Sequence, residues 1–369
     1  MKILWFTENY PPNKGGMSRS CDRIINSLRN HHTVNIYHFT NKLNPFQTQA
    51  NIGGSYTAVP VYEDASHTLN VLWAYISNQK NIQTDSVFVA YGSHLGLKGV
   101  PLIAKWLQIP YLLCLRGNDF DTAIFSQKKQ DLLYAIKNAA AVACVSSEKV
   151  VRIDRMQLNE KLFFTPNSIE AKSWKILEAD RALAKNTREA FTKSQTTVIG
   201  LVGYLKQKKG IDFFIHTLLK SMLVQNLHLR IVGELEPEIE QKLIVSNLSY
   251  SVVVPISQSE LMANYLSCDA IAIPSIYDGM PNVLFEAGVL GVPIIASNAG
   301  GLPDVLSENE AFLFEILSES SLLQCLQRFY ETPTNELLQM TERLNDKINH
   351  QFTPEKEVKK YLEIFEQIH

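Results

Sequence analysis

The chain has 369 residues, 46% of them hydrophobic, a formal net charge of −2 and a mean hydropathy near zero. That length points to two domains rather than one core, and no run approaches the roughly 20 apolar residues of a spanning helix, which argues against an integral membrane protein. The near-neutral balance predicts no polyanion partner and no nucleic acid.

The N-terminus reads Met1-Lys2-Ile3-Leu4-Trp5-Phe6-Thr7-Glu8. This apolar run is too short for a signal-peptide core and ends on an acid, so it reads as a buried first strand over residues 2–7. Further strands are expected at 33–39, 86–90, 110–115, 141–145 and 161–165, with helices at 19–29, 100–106 and 131–138. Strand–helix alternation of this kind implies a parallel sheet covered on both faces. Residues 170–194 are polar, helix-prone and without a strand, and read as a linker region. Alternation then restarts with strands at 197–202, 227–232, 251–254, 270–273 and 293–296 and helices from Ile211, Ser259 and Pro281. The expected fold class is α/β, with two doubly wound Rossmann-like domains facing across a cleft. Ligands of such sheets bind outside the carboxyl ends of the strands, so the loops just after strands carry the information.

Five cysteines are scattered singly, at 21, 114, 144, 268 and 325. With no C-x-x-C pair they read as small buried apolar residues. The compartment is then reducing, most simply the cytoplasm. Charge is unevenly spread: residues 1–170 carry 17 Lys+Arg against 12 Asp+Glu, and the remainder 18 against 25. One reading is chance distribution over solvated faces. The other is that the first half meets an anionic surface, such as the inner face of a membrane, or a phosphate-bearing acceptor.

The most informative segment is 274–304. The expected strand at 270–273 ends, a loop holds Asp278, and a helix starts near Pro281, where Pro at the first helical position is favourable. The exposed N–H groups of that first turn form an anion site, which suits a diphosphate. Asp278 lies just outside the helix start and Glu286 one and a half turns in. Acids beside a phosphate site need neutral donors, and ribose and sugar hydroxyls are such donors. On spacing alone the two acids read equally well as a helix cap and a solvent-facing Glu.

The whole segment resembles the signature of glycosyltransferase family 4, the retaining GT-B glycosyltransferases of group 1. Two acids separated by seven residues (Asp278, Glu286) are followed by G-V-P-[VI]-[IV]-A at 291–296 and a G-G-x-P-[ED] turn at 300–304. A match of this length is far more specific than a lone Gly-rich loop. The resemblance implies that the first acid contacts the transferred sugar and the second the nucleotide ribose. Here the first acid is Asp278 where the family usually has Glu, one methylene longer.

Other loops extend the resemblance. Pro11-Pro12-Asn13-Lys14-Gly15-Gly16 matches a family loop that reaches the donor diphosphate, through glycines whose N–H groups can approach phosphate. Gly203-Tyr204-Leu205-Lys206-Gln207-Lys208-Lys209-Gly210 matches the family's G-R-L-x-x-x-K-G. Lys209 takes the place of its Lys, Tyr204 stands at its Arg, and Lys206 is a nearby candidate for the missing cation. Arg116-Gly117-Asn118-Asp119 follows a strand where the family often has His-Gly-x-Asp. Arg116 is always charged, so it serves either as a phosphate binder or in a loop-stiffening pair with Asp119. Asn167 reads as a hinge or turn residue. His94, also after a strand, is a further acceptor-side candidate.

The resemblance therefore implies a retaining transferase that moves a sugar from a nucleoside diphosphate sugar, UDP- or GDP-linked, to an acceptor hydroxyl of a sugar, lipid-linked or small-molecule acceptor. The expected setting is polysaccharide, glycolipid or glycoconjugate assembly, with no cofactor and no metal ligand motif. Asp278, Lys209 and Arg116 fall at the reacting centre. Gly15, Gly16, Lys206, Lys209, Asp278, Gly279, Met280, Pro281, Asn282, Val283 and Glu286 fall around the donor. Arg116, Asn118, Asp119 and His94 fall on the acceptor side. The implied domains are an acceptor-side domain over 1–170, a linker over 171–196 and a donor domain over 197–352, with the helix at 353–369 returning to the first domain. Competing readings are another GT-B enzyme, either a nucleotide-sugar epimerase or a phosphorylase, and a sugar-nucleotide-binding protein without turnover.

Overall fold

The computed structural model describes residues 1–369 except 80, 81, 83, 84, 93, 193–195, 256 and 369; the side chains of Asn118, Met222 and Leu223 also lie outside the description. The chain divides into two packed units, residues 1–168 with 354–369, and residues 169–353.

The first unit runs β1 (Lys2–Thr7), α1 (Gly16–Leu28), β2 (Thr33–Phe39), β3 (Thr48–Asn51), β4 (Gly54–Val59), α2 (Ala65–Ser77), β5 (Ser86–Tyr91), α3 (His94–Leu107), β6 (Tyr111–Leu115), α4 (Asn118–Asp121), α5 (Lys129–Asn138), β7 (Ala141–Cys144), α6 (Ser147–Arg155) and β8 (Leu162–Phe164). The second runs α7 (Glu178–Phe191), β9 (Thr197–Val202), α8 (Ile211–Leu218), β10 (Leu227–Val232), α9 (Pro237–Ser246), β11 (Ser249–Val253), α10 (Gln258–Leu266), β12 (Ala270–Ile273), α11 (Asn282–Val289), β13 (Ile294–Ser297), β14 (Phe312–Phe314), α12 (Glu319–Glu331) and α13 (Thr334–Gln351). The last helix, α14 (Pro354–Ile368), belongs to the first unit.

Eight strands of the first unit lie in the order β3-β4-β2-β1-β5-β6-β7-β8. All neighbours are parallel except β3, which turns back antiparallel on β4. Side chains alternate across a strand, so β1 feeds two cores. Leu4 and Phe6 join Phe88, Leu113 and the helices α2, α3 and α5 on one face. Ile3 and Trp5 join Ile24 of α1 with Tyr361 and Phe365 of α14 on the other. Burial on both faces is why these strands read as continuous apolar runs. α14 is also pinned by charge: Glu357 accepts from Arg23 at 2.9 and 3.2 Å and from Ser168 Oγ at 2.5 Å.

The second sheet is parallel throughout, in the order β11-β10-β9-β12-β13-β14. Ile199, Leu201, Leu229 and Ile231 pack beneath Phe214 of α8, Ile239 of α9 and Phe329 of α12. Residues expected as a linker pack with this unit. The guanidinium of Arg188 on α7 binds the Asp269 carboxylate at 2.8 and 3.0 Å and the carbonyls of Ser267 and Thr196, both at 2.9 Å. No helix among the described residues is long and apolar enough to cross a membrane.

In each sheet the chain reverses its direction of travel once. The first unit winds β1, β2, β4 one way and resumes at β5 on the other side of β1; the second winds β9, β10, β11 and resumes at β12 beside β9. Two crevices result, outside the carboxyl ends of β1 and β5 and of β9 and β12. These are the positions at which doubly wound sheets accept ligands.

Candidate functional site

The crevice of the second unit is built by backbone contact between loops. β9 gives way to Gly203, whose carbonyl oxygen would lie 2.2 Å from a Cβ on Gly233. The turn Gln207–Lys209 ends on Gly210 with φ +66°. A Cβ on Gly210 would lie 1.9 Å from the Pro274 carbonyl oxygen, a closeness only glycine permits. The Ile276 amide donates to the Lys208 carbonyl at 2.9 Å, so the loops after β9 and β12 are joined. A third segment closes over them. The Gly301 amide donates to the Gly279 carbonyl at 2.7 Å, and a Cβ on Gly300 would lie 1.8 Å from the Asp278 carbonyl oxygen. The three sequence segments singled out at 203–210, 274–286 and 300–304 thus meet at one place.

Within that place the Lys209 ammonium donates to Asp278 Oδ2. The Gly279 amide donates to Asp278 Oδ1 at 2.9 Å, and Ser275 Oγ reaches Oδ2 at 3.4 Å. Burial acts to raise the Asp278 carboxyl, but Lys209 and then Lys208 pull it down, leaving it below the ordinary carboxylate value. α11 starts one residue later than expected: Pro281 is the N-cap, with φ −71° and ψ 138°, and Asn282 is the first helical residue. Its fixed φ suits the extended cap as well as the first turn. That first turn borders the crevice lined by Lys209, Ser275, Pro281 and Val283. Gly279 and Met280 are buried beneath it, while Asn282 and Val283 are half-buried.

Glu286 lies inward on α11, 2% exposed, and accepts from the Tyr265 hydroxyl at 2.6 Å. Tyr265 sits on α10, edge-on to Trp174, and nothing local in the sequence marks it, because its partner lies 21 residues on. At the mouth of the site, Lys206 holds its ammonium 4.3 Å from the Tyr204 ring centroid, and Lys208 lies 5.7 Å from that of Tyr277. Tyr204 therefore keeps a cation beside the position where the resemblance calls for Arg.

In the first unit the loops after β1 and β5 are likewise tied together. The Asn9 side-chain amide donates to the Gly92 carbonyl at 2.5 Å, and Glu8 accepts from the Leu95 amide at 3.1 Å, at the start of α3. Asn13 donates to the Glu8 carbonyl at 2.9 Å and lies 3.2 Å from Nε2 of the buried His38. Gly15 caps α1 with φ 123° and open space where a Cβ would stand, and Gly16 begins the helix. His94 begins α3; burial, then Lys128, hold its imidazole below the ordinary histidine value. Its neighbour Ser93 lies outside the described residues.

Arg116 departs from expectation. Its side chain is 2% exposed and turns into the first unit. It donates to the Thr165 carbonyl at 3.0 Å, the Tyr361 hydroxyl at 3.2 Å and Asn167 Oδ1, and lies 3.8 Å from Glu357. A guanidinium so engaged is not available to a donor or an acceptor phosphate. The expected Arg–Asp pair is also absent. Asp119 instead accepts the backbone amides of Arg116 at 2.7 Å and Gly117 at 2.6 Å, shaping the loop. Asn167 is a partner of Arg116 rather than a bare hinge. The Asn118 side chain lies outside the described residues.

Residues 196–332 match the family model described as glycosyl transferases group 1. The D-inositol 3-phosphate glycosyltransferase of Corynebacterium efficiens is 32% identical over 145 residues, 36% of this chain and 34% of that protein. The chain's alignments span a quarter to a third of the length of the curated relatives it matches first. Among solved structures, the sucrose-phosphate synthase of Thermosynechococcus elongatus superposes with a TM-score of 0.80 at 16% identity, over 100% of this chain and 98% of that one. Anabaena Alr3699/HepE in complex with UDP-glucose superposes with a TM-score of 0.75 at 16% identity, over 98% of each chain. At such identities the likeness is one of fold, and the fold of this chain is GT-B.

Proposed function

We propose that this chain is a glycosyltransferase whose second unit binds a nucleoside diphosphate sugar. The observation that carries the reading is the convergence of Lys209, Asp278 and the α11 N-terminus at the β9/β12 switch point. Cation, helix terminus and sheltered, half-buried acid are the chemistry a diphosphate joined to polyols requires. The match of residues 196–332 to group 1 glycosyl transferases supports it, as does the UDP-glucose bound to Anabaena Alr3699/HepE, which shares the fold.

In this reading the first turn of α11 and the ammonium of Lys209 take the charge that grows on the diphosphate as the glycosidic bond breaks. They are in place before reaction and need no reorganisation, which is how electrostatic preorganisation lowers a barrier. Lys206 adds further positive potential, and Glu286 is the acid for the ribose, positioned by Tyr265. The acceptor hydroxyl attacks from the face the nucleotide leaves, so that configuration is retained. The diphosphate charge is carried by protein groups in place of a metal. UDP- and GDP-linked donors both fit this chemistry. The acceptor is a sugar, a lipid-linked or a small-molecule hydroxyl of glycoconjugate assembly, met in the cytoplasm or at its anionic membrane face.

The test is release of nucleoside diphosphate from UDP- or GDP-sugars with and without hydroxyl acceptors, with product anomers read by NMR. Acceptor-dependent release and a retained anomer are expected. Sugar conversion without acceptor points to an epimerase, and binding without release to a carrier; either result overturns the proposal.

A further inference from the structure

The groups assigned above to two parts of the donor are bonded to each other. Lys209, the cation for the diphosphate, sits on Asp278, the acid for the sugar. The side chains are 22% and 13% exposed. The acid cannot follow the lysine elsewhere: its Oδ1 accepts the Gly279 amide, and its backbone is wedged under Gly300. Among the described residues, the other side-chain hydrogen bond to Oδ2, the oxygen that takes the ammonium, is the longer one from Ser275 Oγ at 3.4 Å.

Resting on the donor-binding reading, we infer that the Lys209–Asp278 pair makes the site discriminate between a nucleoside diphosphate sugar and the free nucleoside diphosphate, in favour of the former. A diphosphate arriving at the α11 amides draws Lys209 towards it. As the ammonium turns, Oδ2 loses its main donor in a place with little water and comes to face phosphate oxygens. Stripping a sheltered carboxylate of its partner is costly. A donor carrying its sugar brings hydroxyls, which are neutral hydrogen-bond donors and replace the ammonium. A free nucleoside diphosphate brings none, so it either leaves the pair intact and forgoes Lys209 or breaks it without recompense. Sugar and diphosphate are thereby coupled in binding, with typical couplings of about 5–150-fold. After transfer the product loses the sugar's contribution and is expelled, which limits product inhibition.

The experiment is calorimetric titration of the full chain with UDP and UDP-glucose, and with GDP and GDP-mannose as the alternative pair. Asp278→Asn keeps the shape of the acid and its contact to Gly279 but cannot hold Lys209 by charge. In this variant the free diphosphate is expected to bind about tenfold tighter while the sugar nucleotide gains nothing, so the preference for the sugar form falls about tenfold. In a Lys209→Met background, Asp278→Asn is expected to leave the preference unchanged, because the pair is already gone. Equal weakening of both ligands by Asp278→Asn, or no change in either, overturns the inference. So does the same tenfold tightening in the Lys209→Met background, which would show general charge repulsion instead of the pair. If Asp278→Asn fails to fold, Lys209→Met alone decides: it must reduce the preference for the sugar form, and an unchanged preference overturns the inference. Wild type that binds none of the four nucleotides defeats the donor reading itself, a distinct result.

Discussion

The ammonium of Lys209 rests on the carboxylate of Asp278, across the two loops that follow β9 and β12. The contact depends on glycines placed where backbone meets backbone: Gly210 against Pro274, Gly300 against Asp278, and Gly301 against Gly279. The site is therefore a property of loop packing at the switch point, and its predicted responses to mutation follow from that packing.

Gly300→Ala places a Cβ 1.8 Å from the Asp278 carbonyl oxygen at a φ of +56°. Both the clash and the left-handed backbone penalise it, so a loss of about 2–4 kcal/mol is expected. Gly291→Ala is the control: φ is +68° but the space is open, and only the backbone term of about 1 kcal/mol remains. Urea denaturation measures both, and UDP affinity should fall for the first and hold for the second. Equal costs would mean that Gly300 is not wedged on Asp278.

Arg116→Ala removes the partner of Thr165, Asn167, Tyr361 and Glu357 inside the first unit. Leaving Glu357 and its neighbours without this charge should cost about 3–5 kcal/mol. Lysine should not restore it, since one ammonium cannot reach acceptors that a planar fork spans. Nucleotide affinity should be unchanged. Full stability with lost turnover would return Arg116 to the reacting centre.

Two buried histidines set an acid limit. Burial pushes His38 down to about 4, and burial followed by Arg230 does the same for His228. In the unfolded chain both protonate near 6.5. Between those values the unfolded state binds more protons, so stability is full above about pH 6.5 and falls as pH drops towards 4. Each shift is worth up to about 3 kcal/mol. His228 bonds Ser249 and Ser251, both at 2.8 Å, which a glutamine can imitate in part. His228→Gln should lower the urea midpoint at pH 7 yet flatten its decline between pH 6.5 and 4. A decline as steep as that of wild type would contradict the assignment.

Sequence legibility followed burial. β1, β2, β9, β10 and β12 are buried along most of their length, and their expected limits agree with the structure residue for residue. The β3–β4 hairpin was not anticipated because Thr48–Asn51 is exposed at every position and carries no apolar pattern. Loops after strands were legible as site-forming where a glycine accompanies a charge, as in Lys209-Gly210 and Asp278-Gly279. Arg116-Gly117 has the same form and misled, because its acceptors, Thr165, Asn167, Tyr361 and Glu357, are 49 or more residues away. The bond from Tyr265 to Glu286 and the pairing of Lys209 with Asp278 are of the same non-local kind.

The most direct test of the donor site is calorimetric titration of wild type and Lys209→Met with UDP-glucose and GDP-mannose. One of these sugar nucleotides should bind wild type at a single site, and Lys209→Met should weaken it at least about tenfold, the loss of one charge-assisted contact to phosphate. Wild type that binds neither nucleotide, or Lys209→Met that binds as wild type does, would contradict a diphosphate site at Lys209, Asp278 and the start of α11.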